Sequence, residues 1–347
     1  MTGYERIRAH LAGESVDHLP LMPITMMLAA DQTKAAYRDY VTDYRVLCEA
    51  QIRTAEAFSL DYVSAISDPT REAADCGAAI RFFEDQPPAI REDAPLLADK
   101  SRLAGLTMPD PHGGGRMTDR LRGVAMLRER VGGDKLVEGW IEGPCAEAAD
   151  LRGLNPLMLD FMDDATFVTD LLDFVTEMEI DFARAQVEAG ADLIGMGDAA
   201  ASLAGPRIYE QFILPRERRI VDAVHDTGVP LRLHICGDTR PLFAQMGTLG
   251  CDIIDLDSMC PLDDARRQMG PEQVLLGNLD PVQALKNSDP ELIAAAVAAC
   301  HAAAGPRYIV GAGCEVPRGT PPENFHALCR YALDRRAEDV PDAAPAG

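Results

Sequence analysis

The chain of 347 residues carries 33 Lys and Arg residues against 56 Asp and Glu residues, which gives a formal net charge of −23. A chain this acidic repels phosphate backbones and anionic membranes, so nucleic acid and lipid surfaces are excluded as expected partners. With 47% hydrophobic residues, 28 Gly and 24 Pro, the composition is globular, and no stretch reaches the roughly 18 apolar residues of a membrane helix.

The cysteines and the first residues of the chain indicate a compartment. The opening sequence, MTGYERIRAHLAGESVDHLP, lacks the apolar core of a secretory signal. The nine cysteines are odd in number and scattered, which suits reduced thiols better than structural disulfides. We therefore expect a cytoplasmic protein, and its length predicts one elaborated domain that spans residues 1–347.

Short apolar runs, each closed by polar or turn residues, recur eight times along the chain. They cover residues 19–24, 60–66, 135–141, 191–197, 229–235, 251–256, 273–278 and 307–313. Helix-like stretches lie between them, the clearest over residues 163–190, where apolar residues keep helical spacing until Gly190. Alternating strands and helices imply a parallel sheet, and a count of eight predicts an α/β fold closed into a single (β/α)8 TIM barrel.

Several segments depart from this alternation. An N-terminal extension precedes the first run, and residues from about 68 to 122 are charged, Pro-rich and Gly-rich, which predicts an inserted, lid-like segment over the barrel. The last helix should begin with Thr320 as its N-cap, Pro321 at its first position and Glu323 completing a capping box. The polar tail over about residues 337–347 is expected to fray.

The end of the fifth run places a histidine and a cysteine two residues apart, in the sequence VPLRLHICGD. Residues i and i+2 of a strand point to the same side, so His234 and Cys236 can face a common centre. Cys314 follows the eighth run, and barrel closure brings strand ends together at the mouth, where function sits. One imidazole and two thiolates favour a borderline-soft ion such as zinc, with a fourth position open. The alternative is a hydrogen-bonded histidine with two cysteines as core residues.

Three stretches carry a family resemblance: HICG at 234–237, GNLDP at 277–281 and GAGCEVPRGTPPEN at 311–324. They resemble the uroporphyrinogen decarboxylase superfamily. They are more closely similar to its zinc-dependent corrinoid methyltransferase branch, typified by methylcobamide:coenzyme M methyltransferases. The resemblance implies zinc on His234, Cys236 and Cys314, a thiol acceptor bound to it as a thiolate, and a methylated corrinoid as methyl donor. The decarboxylases themselves differ, because Cys314 stands where they have a histidine and PLMPITMMLAADQTK contains no arginine for a polycarboxylate.

Polar residues follow other strand ends as well. Asp257, which shares a face with Asp255, is predicted to be a displaceable fourth zinc ligand or a partner of His234, unless it caps its own loop. Four further residues are assigned to cofactor or substrate binding at the same mouth: Asp68, Glu142, Asp198 and Asn278. The alternative for each is structural, as a turn opener, a helix cap or a residue that shapes the pocket.

These features predict an enzyme, a zinc-dependent methyltransferase that moves a methyl group between a corrinoid such as methylcobalamin and a thiol. The sequence indicates no second domain that would carry a corrinoid, so the corrinoid is expected on a separate small protein that docks near the barrel mouth. Two alternatives stay open, a decarboxylase of the uroporphyrinogen type and a non-catalytic corrinoid- or zinc-binding module. The sequence leaves open the acceptor, whether coenzyme M, homocysteine, another thiol or a pterin, the original methyl donor and the oligomeric state.

Overall fold

The computed structural model describes residues 1–341, and it contains nine strands within that range. They are β1 (Tyr62–Ser64), β2 (Ile80–Arg81), β3 (Ala89–Ile90), β4 (Leu136–Glu142), β5 (Leu193–Gly197), β6 (Leu231–Ile235), β7 (Ile253–Leu256), β8 (Val274–Leu279) and β9 (Tyr308–Ala312). Seven of them form one parallel sheet in the order β1-β4-β5-β6-β7-β8-β9, while β2 and β3 pair as an antiparallel ribbon. The fold is therefore α/β, with a parallel sheet of the TIM-barrel type.

Helices connect the successive strands, as the sequence predicts for parallel neighbours. They are α1 (Gly3–Leu11), α2 (Met27–Thr33), α3 (Tyr37–Thr42), α4 (Tyr44–Phe58), α5 (Arg71–Asp75), α6 (Arg116–Val131), α7 (Pro144–Arg152), α8 (Leu154–Asp163), α9 (Ala165–Glu188), α10 (Gly205–Ile208), α11 (Leu214–His225), α12 (Phe243–Met246), α13 (Leu262–Met269), α14 (Pro290–Ala304) and α15 (Pro322–Leu333). The helix predicted over residues 163–190 is confirmed as α9. No helix within residues 1–341 is long and apolar enough to cross a membrane.

The first of the eight predicted strands is wrong, because residues 19–24 make a single bridge instead of a ladder. Leu21 pairs with Val310 of β9, and the Asp61 backbone N–H donates to the Leu21 carbonyl, 3.2 Å away. Pro20 and Pro23 flank this bridge and have no N–H to donate, so a continuous ladder cannot form. The segment thus lies as extended chain between β9 and the residue before β1, and the sheet has seven strands.

The other irregular segments also differ from expectation in detail. Residues 68–122 contain α5, the β2–β3 ribbon and the start of α6, the helix that leads to β4. The predicted capping box of the last helix is wrong, because α15 begins after Pro321 and the Thr320 hydroxyl donates to the Pro317 carbonyl instead, at 2.7 Å. The predicted frayed tail falls mainly on residues 342–347, which lie outside the described residues.

A buried ion network crosses the centre of the sheet. Arg232 of β6 has no exposed surface, and its guanidinium donates to Glu138 of β4 at 3.1 Å and to Asp255 of β7 at 2.5 Å. The same guanidinium lies over the rings of Tyr62 and Trp140. Removing one member of a buried ion pair leaves its partner's charge uncompensated in a low-dielectric interior. The network therefore fixes three strands of the sheet relative to one another.

We expect Arg232→Met to lower the free energy of unfolding by about 3–5 kcal/mol, because it leaves two buried carboxylates without their cation. Urea unfolding followed by circular dichroism measures this change. Arg267→Met is the matched control, since Arg267 is exposed and pairs with exposed Asp263 at 2.8 Å, and its loss should shift the midpoint little. An Arg232→Met protein as stable as the native one would contradict the structural role of the network.

Candidate metal centre

The three residues predicted to bind metal converge at the carboxyl ends of β6 and β9. His234 Nε2 lies 3.1 Å from Cys236 Sγ, and Cys236 Sγ lies 3.8 Å from Cys314 Sγ. One ligand atom from each residue lies within 4.8 Å of the others, and residues 1–341 contain no other such group of three His, Cys, Asp or Glu side chains. Cys236 and Cys314 are 78 positions apart in the chain. The parallel sheet brings them together because β6 and β9 end at the same edge.

Backbone geometry at two glycines allows this approach. Gly237 directly follows Cys236 and has a φ of 90°, a left-handed conformation that side chains other than hydrogen disfavour. A Cβ on Gly313 would lie 2.2 Å from the Ser258 backbone nitrogen, so only glycine lets the loop after β9 pass this close to the loop after β7. This close approach of the two loops places Cys314 beside His234 and Cys236.

Asp255 orients the imidazole of His234. The two residues are opposite each other in the β6–β7 register, and His234 Nδ1 lies 3.2 Å from the Asp255 carbonyl oxygen and 3.3 Å from its carboxylate. Burial opposes the imidazolium form, but the negative charges of Cys236 and Asp255 raise the pKa of His234 well above its usual value. With Nδ1 directed at Asp255, Nε2 is directed at the two thiols.

The two thiols have opposite pKa shifts. The hydrogen bond with Cys236 lowers the pKa of Cys314 to about 4 against the opposing effect of burial, and the same hydrogen bond together with burial raises the pKa of Cys236. Two sulfur donors and one imidazole nitrogen, with the second ring nitrogen held by a carboxylate, are the donor set and outer partner that zinc sites use. The residues present therefore fit a zinc ion.

A cavity of about 190 Å³ adjoins the three donors. Its remaining walls are Ile24, Met26, Ile66, Asp68, Pro69, Trp140, Glu142, Gly197, Ala199 and Glu315. Two of the four predicted binding residues, Asp68 and Glu142, thus lie in the cavity wall. Ligand pockets for drug-sized molecules are commonly about 300–1,000 Å³, so this one has room for a small molecule only.

Asp198 and Asn278 lie outside the cavity wall and bind backbone groups. The Asp198 carboxylate accepts the Ala146 N–H at 2.7 Å in the first turn of α7, and burial raises its pKa to about 6. The Asp198 N–H donates to the His234 carbonyl at 2.9 Å, which links this loop to the end of β6. The Asn278 amide donates to the Asp257 carbonyl at 2.9 Å and so shapes the loop after β7.

Asp257 contacts its own loop and the turn after Cys236. Its carboxylate accepts the Gly237 N–H and the Met259 N–H, each at 2.9 Å. It is not part of the group of three converging donors. Of the two carboxylates on this face, Asp255 makes the contact with His234 and Asp257 holds the loop beside Cys236.

Sequence reasoning assigned no role in the site to Arg232 or Asp255. Arg232 and Asp255 were detectable, because a charged residue inside an apolar strand requires an opposite charge on a neighbouring strand. Glu315 follows Cys314 directly, and the sequence favours a role for it in setting that loop or in tuning the field at the metal. Its carboxylate accepts the Met27 N–H at 2.5 Å, and burial raises its pKa to about 7. No local pattern indicates a contact across 288 residues of chain.

A parallel sheet of the TIM-barrel type, with a cavity and converging ionisable side chains at its strand ends, is the arrangement of an enzyme. The protein-family profile described as uroporphyrinogen decarboxylase (URO-D) matches residues 2–334, and the chain belongs to that family. The resemblance stated from its motifs is thereby confirmed.

Individual relatives show which branch of the family is similar. The chain is 30% identical to "Methylcobamide:CoM methyltransferase MtbA" of Methanosarcina mazei, over 97% of this chain and 100% of that protein. It is 27% identical to "Methylcobamide:CoM methyltransferase MtaA" of Methanosarcina barkeri, over 93% and 95%. A solved structure described as "methyltransferase from Methanosarcina mazei" superposes with a TM-score of 0.86 at 25% identity, over 96% and 99%.

Proposed function

We propose that this chain is a methyltransferase that transfers a methyl group from a methylated corrinoid to a thiol, with zinc held by His234, Cys236 and Cys314. The convergence of one imidazole and two thiols within 4.8 Å carries the proposal. It is supported by relatives named as methylcobamide:CoM methyltransferases along nearly the whole chain.

A zinc ion held by these three residues would leave one position for a substrate thiol and would lower the pKa of that thiol, so that the thiol would release its proton to water and react as a thiolate near neutral pH. Residues of the chain orient the side chains around that position. Asp255 holds the His234 ring, and Arg232 in turn holds Asp255. The apolar walls formed by Ile24 and Ile66 exclude water from the sulfur. In the reaction, sulfur bonds to the methyl carbon while the cobalt–carbon bond breaks and leaves its electron pair on cobalt.

The size of the cavity separates the two substrates. Its volume of about 190 Å³ suits a small thiol and is too small for a corrin macrocycle. The corrinoid is therefore expected over the mouth, with its methyl group directed inward. We further assign Asp68 and Glu142 to the substrate wall, and Asp198, Asn278 and Asp257 to positioning the loops around the metal ligands.

A decarboxylase of the uroporphyrinogen type fits this cavity poorly. A substrate with several carboxylates requires cationic partners, but no Lys or Arg of residues 1–341 lines the cavity.

Exposed apolar residues after the strand ends support a protein partner. Leu159 and Met162 of α8, Leu203 after β5 and Met259 after β7 are each 60–65% exposed, and we call these four residues the rim patch. Arg207 of α10 lies 4.0 Å from the Met162 sulfur, so the loops after β4 and β5 meet there. Leu159 and Met162 lie three residues apart on α8 and therefore share one helix face, and we propose that the corrinoid protein docks on this part of the rim patch.

The domain organisation is part of the same proposal. We propose that residues 1–347 act as one barrel domain in the cytoplasm, in which residues 19–24 complete the barrel between β9 and β1. Asp68 and Pro69, at the start of the inserted segment, line the cavity, which supports a covering role for residues 68–122. All nine cysteines are unpaired, in agreement with reduced thiols.

The activity is tested by mixing the zinc-loaded protein with methylcobalamin and a thiol, and following cobalamin demethylation by absorbance. We expect turnover by the native protein and a fall of roughly a hundredfold or more for Cys314→Ala, because a ligand of the metal is lost. Cys300→Ala is the control, since Cys300 lies near Asn278 and outside the donor group. Absence of turnover with every thiol, or full activity of Cys314→Ala, would refute the proposed function.

The docking surface is tested with Leu159→Glu and Met162→Glu. We expect each to slow methyl transfer from a methylated small corrinoid protein about tenfold or more, because a charge replaces an apolar contact. Transfer from free methylcobalamin should stay unchanged. Leu292→Glu is the control, since Leu292 of α14 is 62% exposed and outside the rim patch. Equal rates for all three variants with the protein-bound corrinoid would exclude docking at α8.

A further inference from the structure

An apolar cluster separate from the main core forms much of the cavity wall. Ile24, Ile66 and Trp140 are buried and pack together, and the half-buried Met26 packs against them. All four side chains line the cavity beside the three donors. The space that receives the substrate is therefore bounded largely by hydrocarbon and by one aromatic ring.

Two glycines of β5 make room for the aromatic ring of that wall. Trp140 of β4 lies opposite Gly195 in the β4–β5 register, and a Cβ on Gly195 would lie 2.2 Å from Trp140 Cε3. A Cβ on Gly197 would lie 3.0 Å from Trp140 Cζ2. Glycine at both positions lets the indole lie close to the strand. The sequence GMG at 195–197 therefore shapes the cavity wall through Trp140.

The guanidinium groups next to the wall are paired with carboxyl groups of the chain itself. Arg116 donates to both oxygens of Asp68, at 2.8 and 2.6 Å, and Arg71 pairs with Glu142 at 3.1 Å. No Lys or Arg within residues 1–341 lines the cavity. An anionic group of a substrate would therefore find no cationic side chain in this wall.

Backbone N–H groups at helix starts are the other common partners of anions, and the chain occupies them as well. The Met27 N–H, at the start of α2, donates to the Glu315 carboxyl group at 2.5 Å. The Ala146 N–H, in the first turn of α7 after β4, donates to the Asp198 carboxylate at 2.7 Å. Neither helix start is left free to bind a sulfonate or a carboxylate.

The other charges around the cavity do not favour an anion either. Glu142 is buried, and burial raises its pKa well above the usual value, which favours the uncharged form. In the metal site, two thiolates would balance the double charge of a zinc ion. The substrate space is thus mainly apolar and carries no positive charge.

We infer that the methyl acceptor is an alkanethiol, a small thiol whose other end is uncharged and apolar, and not a thiol that carries a sulfonate as coenzyme M does. The inference rests on the proposed function, because it takes the thiol as the group that enters the metal site. The alkyl end packs against Ile24, Ile66 and Trp140. A sulfonate there would lose its hydration and gain neither a cation nor a free N–H, which is costly.

The reaction with this acceptor produces an alkyl methyl thioether. Sulfur bonds to the methyl carbon, the thiol proton passes to water, and the electron pair of the broken cobalt–carbon bond stays on cobalt. No oxidant or reductant is needed.

Three thiols of equal chain length test the inference: ethanethiol, cysteamine and coenzyme M. Isothermal titration calorimetry with the zinc-loaded protein gives their dissociation constants, and the fluorescence of Trp140, the only tryptophan of the chain, reports entry into the cavity. We expect ethanethiol to bind about tenfold or more tightly than either charged thiol, since the wall offers neither of them a partner. Equal or tighter binding of coenzyme M or cysteamine would overturn the inference.

The variant Met26→Lys separates the effect of the wall from the intrinsic properties of the thiols. It adds a cation at a half-buried wall position, where a lysine can keep its ammonium group hydrated. Leu292→Lys is the matched control, because it adds the same charge at a 62% exposed position on α14, outside the cavity wall. Differences in thiol acidity are the same with every variant, so they cancel when the preference for ethanethiol over coenzyme M is compared between proteins.

We expect this preference to fall about tenfold or more in Met26→Lys and to stay unchanged in Leu292→Lys, since only the first places a cation beside the substrate. An unchanged preference in folded Met26→Lys would overturn the inference. If that variant fails to fold, the native series decides.

The outcomes also distinguish this inference from the proposed function. Methyl transfer to all three thiols with no preference would overturn only the alkanethiol assignment. Failure of all three thiols to bind and to accept a methyl group would overturn both.

Discussion

The buried guanidinium of Arg232 is the interaction on which the site depends. It holds Glu138 of β4 and Asp255 of β7 from its place in β6, and Asp255 in turn holds the ring of His234. One cation at the centre of the sheet therefore fixes both the spacing of the strands and the direction of His234 Nε2, the nitrogen proposed to bind the metal. Buried ion networks contribute little net stability, so their structural value is that they define a single arrangement.

The excess of acidic residues has two different roles around the cavity. Asp68 and Asp255 pair with guanidinium groups and build the cavity wall and the strand next to His234. Glu142 and Glu315 also line the cavity, and burial raises the pKa of both carboxyl groups, to about 7 for Glu315. The first two acids thus stabilise the fold as charged groups, while burial disfavours the charged form of the two glutamates.

The sequence predicts the donors of the site better than their surroundings. His234 and Cys236 alternate on one strand and Cys314 follows another, so strand ends and parallel topology suffice to bring them together. The choice between Asp255 and Asp257 depends on the β6–β7 register, which local sequence does not specify. Residues 19–24 were read as a strand from their apolar character, while their prolines, which prevent a ladder, were given too little weight. Contacts across hundreds of residues, such as Glu315 with Met27, leave no local pattern.

In the proposed site, three side chains from two strand ends hold one metal ion. The most direct test is the zinc content of the protein purified without added metal and after a zinc titration, compared with Cys314→Ala. We predict about one zinc per chain in the native protein and in Cys300→Ala, and its loss in Cys314→Ala, since a site with three protein ligands cannot spare one. A native protein that binds no zinc, or a Cys314→Ala protein that keeps it, would contradict the account.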